Sequence, residues 1–102
     1  MVEQEYTYAV GRRKTAVAQV RLYRDAGPIV VDEKLMEDAF PYSIWQQIIN
    51  EPFTVTSTQG RFRVVAKVSG GGVNGRAGAL RHGIARALSE VDGGRFRSDL
   101  KK

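Results

Sequence analysis

The chain has 102 residues, 42% of them hydrophobic, with sixteen Lys and Arg against eleven Asp and Glu and a formal net charge of +5. That length suits one small domain, residues 1–102, with a thin core. The absence of cysteine excludes a disulfide framework, a thiolate metal site and a thiol nucleophile.

In chain order, YTYAV (residues 6–10) has strand composition, and GRRK (11–14) reads as a turn carrying three adjacent positive charges. TAVAQVRLY (15–23) alternates, with Ala16, Ala18, Val20 and Leu22 on one face, the pattern of a half-buried strand. DAGP turns the chain into a short strand, IVV (29–31). Residues 35–40 predict a short helix. Pro41 breaks it and suits the first turn of the next, SIWQQIIN, where Ile44, Trp45 and Ile48 fall at helical spacing for core packing. Pro52 is expected to stop this helix and FTVTST (53–58) to form a strand. RFRVVAKV (61–68) puts Phe62, Val64, Ala66 and Val68 on one face and Arg61, Arg63 and Lys67 on the other. A glycine cluster then opens the longest helix, about residues 75–91, whose apolar stripe is Ala77, Leu80, Ile84, Leu88 and Val91. Gly93-Gly94 closes it, and RFRSDLKK reads as a partly ordered surface segment.

His82 has no histidine or cysteine partner to complete a zinc site, so no metal is expected. No apolar run nears the ~20 residues that span a bilayer, and the acidic, polar start MVEQEYTY is unlike a targeting peptide. A soluble protein of a reducing compartment is expected. The charge is segregated along the chain. Residues 25–51 carry six acids and one base, whereas residues 12–24 hold five bases and residues 61–86 six, with no acid in either stretch. Such segregation predicts one positive and one negative region on the folded surface, the positive one suited to a polyanion.

The run VVAKVSGGGVNGRAGALRHGIARAL (64–88) has the strand–glycine–helix layout of a phosphate cradle. Gly70, Gly72 and Gly75 match a dinucleotide fingerprint, but no later apolar strand follows to complete that fold. Gly70 and Gly75 also have Walker-type spacing, yet Arg76 and Ala77 stand where a lysine and a magnesium-binding hydroxyl would be needed. A nucleic-acid phosphate fits better: glycines permit close backbone approach, helix-start amides favour an anion, and Arg76 adds a full charge. The helix side holding Gly75, Gly78, Ala79, His82, Gly83 and Arg86 is small and basic, as if something bulky lies flat on it, while Arg81 borders the apolar stripe. Tyr6, Tyr8 and Tyr23 could stack on bases, although strand tyrosines more often pack.

YAVGRRKTAVAQVRLY, the PFTVT segment, VSGGGVNGRAGALRHGIARAL and the closing LKK together resemble the small-subunit ribosomal protein nine family. Gly70, Gly71, Gly72, Gly75, Ala79, Gly83, Ala85, Arg86 and Leu88 match its signature, with Arg76 where the family usually has glutamine, a change that retains a donor. The resemblance implies an α/β two-layer sandwich of the ribosomal-protein domain-two type. That fold has four to five strands, helices on one face and a left-handed βαβ crossover. It implies a structural, non-catalytic role without cofactor on the cytoplasmic or an organellar ribosome. The partners it implies are the 3′ major (head) domain of small-subunit ribosomal RNA and neighbouring head proteins. The RNA-binding set is then Arg12, Arg13, Lys14, Gly70, Gly71, Gly72, Asn74, Gly75, Arg76, Arg81, His82 and Arg86. Residues 92–102 would begin a basic tail that in the family continues to the transfer RNA, so that contact falls on no residue here. The competing classes are a small phosphate-handling enzyme and a free-standing RNA-binding or chaperone-like module.

Overall fold

The computed structural model describes residues 6–91; the expected helix end at Gly93-Gly94 and the surface segment RFRSDLKK lie outside the described residues. The strands are β1 (Tyr6–Arg13), β2 (Ala16–Tyr23), β3 (Ile29–Val31), β4 (Lys34–Leu35) and β5 (Arg63–Ser69). The helices are α1 (Met36–Ala39), α2 (Ser43–Val55) and α3 (Val73–Glu90). The sheet order is β1-β2-β5-β3-β4. β1 and β2 pair antiparallel, as do β2 and β5, whereas β3 runs parallel to β5. A parallel pair needs a crossover connection, which α1 and α2 supply. The result is the expected two-layer α/β arrangement.

Strand alternation decides which sheet face is buried. Ala16, Ala18, Val20 and Leu22 of β2 and Val64, Ala66 and Val68 of β5 are all buried, as their period-two pattern predicts. The α3 stripe of Ala77, Leu80, Ile84 and Leu88, with Val91 at its C-cap, closes over them. Ile49 and Phe53 of α2 join the same core, with Trp45, Ile48 and Phe62 packed at its margin.

Three expectations need correction. Pro52 does not stop α2, and FTVTST is not a strand: the helix runs through Pro52 to Val55. Ile49, Pro52 and Phe53 are all buried, so the apolar helix face continues past the proline, which removes only one amide donor near the helix end. The threonines that suggested a strand instead terminate the helix. Ser57 adopts φ +56°, its amide donates to Thr54 O, and the Thr58 amide donates to Phe53 O, a Schellman closure. The buried Thr56 and Thr58 hydroxyls lie 2.7 Å apart. Ile44, expected in the core, is 62% exposed, because the buried face of α2 is turned toward Ile49 and Phe53. Finally, Gly11, Arg12 and Arg13 belong to β1, and the turn is Lys14-Thr15, with Lys14 at φ +55°.

Candidate nucleic-acid interface

β1 and α3 run side by side in opposite directions. Gly11 of β1 is buried against α3, and a Cβ there would collide with the Ala79 carbonyl and the Gly83 amide. A Cβ on Gly83 would sit 2.6 Å from Val20 Cγ2 and 3.2 Å from the Gly11 amide. The small face of α3, expected to lie open for a bulky partner, is therefore covered by the protein's own strand. Glycine meets glycine so that two backbones can touch. Gly78 is covered too, by the aliphatic stem of Arg13.

This crossing sorts the basic residues. Along β1 the inward side chains are odd-numbered, so Arg13 turns toward α3 while Arg12 lies on the opposite sheet face. Arg13, Lys14 and Arg81 line a cleft of about 410 Å³ with Asn74, Gly75 and Gly78. Ile48 and Glu51 of α2 form its far wall. Arg81 donates to Glu51 Oε1 at 2.8 Å, so an acid from the acidic stretch reaches into the basic region, contrary to the segregation read along the chain. Both partners are largely exposed, and such a pair contributes only a fraction of a kcal/mol, roughly 0.2–1.

The glycine loop stands at the head of this cleft. Gly70 and Gly71 take φ +75° and +67° and press on Thr15 of the β1–β2 turn and Ala16 at the start of β2, while remaining exposed to solvent. Gly72 is the N-cap of α3 and contributes no side-chain acceptor, so the first-turn amides stay available to an outside acceptor. Arg76 does not reach into the cleft. Its Nε donates to the Gly70 carbonyl at 3.2 Å and holds the loop from the other side, facing Asp32 and Phe40 across a second hollow.

Further along α3, His82 and Arg86 serve the free edge of β1. The Arg86 guanidinium donates to the Val10 carbonyl at 3.1 Å, and His82 Nδ1 lies 3.2 Å from both the amide nitrogen and the carbonyl oxygen of Arg12. They occupy backbone groups that an edge strand leaves unpaired. Both residues stay exposed, and the basic strip from Asn74 to Arg86 extends about 18 Å along the helix axis.

A family model described as ribosomal protein S9/S16 matches residues 11–102, beginning at the buried Gly11 and taking in cleft, loop and strip. The chain belongs to the ribosomal protein S9/S16 family. It is a structural ribosomal protein of the small subunit, and membership implies ribosomal RNA and neighbouring ribosomal proteins as partners. Among the described residues no helix is long and apolar enough to cross a membrane.

For this S9/S16 family member, the twelve residues expected to bind RNA fall into three groups. Arg13, Lys14, Asn74, Gly75 and Arg81 converge on the cleft. Gly70, Gly71, Gly72 and Arg76 shape the loop, and Arg12, His82 and Arg86 mark the β1 edge. Two further residues bear on the cleft, Glu51 in its wall and Trp45 behind Asn74. Glu51 pairs with Arg81 across thirty positions, and the Trp45 indole donates to Asn74 Oδ1 at 2.6 Å across twenty-nine. No local pattern signals pairings at such separations. The alternation of Thr7, Ala9 and Gly11, extended by two residues, would have separated Arg12 from Arg13.

Proposed function

We propose that the cleft beside the β1–β2 turn receives the sugar–phosphate backbone of small-subunit ribosomal RNA in its 3′ major (head) domain. The observation that carries this reading is the convergence of Arg13, Lys14 and Arg81 beside the uncapped start of α3, with Glu51 the only carboxylate lining the cleft among the described residues. Arg13 approaches from the end of β1, Lys14 from the tight turn that follows and the helix amides from a rigid element, so a phosphate meets charge and dipole together. The His82–Arg86 edge continues the contact along β1. The role is structural, without catalysis or cofactor: Arg76 is folded back on the Gly70 carbonyl, and Ala77 is buried where a metal-binding hydroxyl would have to stand. A single domain spanning residues 1–102, and a left-handed sense for the β3–α2–β5 crossover, belong to the same reading.

The test is titration of the full chain against a transcript of the ribosomal RNA head domain across a salt series. Arg13→Ala/Lys14→Ala should weaken binding and lower the salt slope by about 1 for each phosphate contact removed. An unchanged slope and affinity would remove the cleft from the RNA interface.

A further inference from the structure

The sheet face turned away from the helices carries a second set of residues that the cleft leaves unused. Pairing registers place Tyr8, Arg21 and Val65 in one row across β1, β2 and β5, with Val10, Gln19 and Lys67 in the next and Tyr6, Tyr23 and Arg63 beyond. Tyr8 and Tyr6 are 52% and 47% exposed, although strand tyrosines usually pack. The Tyr6 ring stands 5.4 Å from that of Tyr23, and the Arg21 guanidinium lies 5.2 Å from the Tyr6 ring centroid. Arg63 lies 4.0 Å over Tyr23 and is tied to Asp25, but β1, β2 and β5 themselves contain no acid. A shallow depression lined by Tyr8, Gln19, Arg21, Val65 and Lys67 lies at the centre of this face, and among the described residues no helix packs there.

We infer that this open face is a stacking platform for unpaired nucleotides of RNA, with Tyr8 and Tyr6 receiving base faces and Arg21 and Lys67 receiving phosphates. Flat exposed rings interleaved with cations across a sheet are the combination that single-stranded RNA requires, because every base offers a π-face and every linkage a charge. Tyrosine and arginine also suit a protein partner, but this face has no large aliphatic centre, and its strands set no acid against Arg21 and Lys67, which favours a polyanion. The inference rests on the RNA-binding reading of the chain but uses the opposite side of the sheet. The protein would thus sit between two RNA segments, one structured and one unpaired.

The experiment titrates the full chain with labelled single-stranded oligouridylate and, separately, with the head-domain transcript. Tyr8→Ala and Arg21→Ala/Lys67→Ala should each weaken oligouridylate binding about 5-fold or more, while Tyr8→Phe retains it, with far-ultraviolet circular dichroism verifying the fold. Parent-like oligouridylate affinity in Tyr8→Ala overturns the proposal, even if Lys67 matters, because charge without stacking is nonspecific. Arg13→Ala/Lys14→Ala reports on the cleft separately. If that pair leaves transcript binding intact while the sheet variants lose oligouridylate, the cleft reading fails and the platform stands.

Discussion

Replacing Gly11 by alanine should be among the most damaging single-methyl changes the chain can suffer. The added Cβ meets the Ala79 carbonyl and the Gly83 amide, both backbone atoms, so no side-chain rotation relieves the collision. β1 must then lift from α3. Overpacking of this kind typically costs about 1–3 kcal/mol, and a rigid backbone obstacle places Gly11→Ala near the upper end. For a protein of this size each kcal/mol lowers the melting temperature by about 4–8 °C, so a fall of roughly 12–24 °C is expected by calorimetry. Lifting β1 also separates Val10 and Arg12 from Arg86 and His82, so edge protection in hydrogen exchange should fall with it. The control is Gly72→Ser, where a Cβ has open space and serine suits an N-cap, giving a change within about 0.5 kcal/mol. If Gly11→Ala melts within a few degrees of Gly72→Ser, the backbone crossing of β1 and α3 is wrong, and the sorting of Arg12 from Arg13 fails with it.

Other outcomes follow from the same geometry. Ser57→Gly should stabilise the fold by about 0.5–1 kcal/mol in denaturant melts, because glycine takes the φ +56° helix closure without a Cβ penalty. Glu51→Gln should leave stability within about 0.5 kcal/mol, since its pair with Arg81 is exposed, yet strengthen binding to the head-domain transcript by removing a carboxylate from the cleft wall and releasing Arg81. Trp45→Phe should cost about 0.5–1.5 kcal/mol by deleting the solvent-exposed indole donor to Asn74, and should weaken transcript binding as the start of α3 loosens.

What the sequence made legible were elements whose pattern is local. The alternations in β2 and β5 and the α3 stripe named most of the core, because a period of two or 3.6 records a single buried face. α3 exceeded that reading because it is buried on two sides. Ala79 and Gly83 looked like an open surface until Gly11, far away in sequence, filled it. α2 was misread at Pro52 because composition there favours a strand, whereas tertiary burial of Ile49 and Phe53 keeps the helix going. The site followed the same logic. Residue types and the glycine loop pointed to phosphate, while the division of arginines among cleft, loop and edge depended on the phase of β1 and on partners about thirty or more residues away.

The central claim is that the turn of β1 and β2 and the start of α3 form the RNA-facing surface. Ultraviolet crosslinking of the full chain to the ribosomal RNA head-domain transcript, with the attached peptides identified by mass spectrometry, tests it most directly. Crosslinks should concentrate at residues 12–16 and 70–82. Attachment confined to the acidic stretch at residues 25–51, with those two segments untouched, would contradict the account.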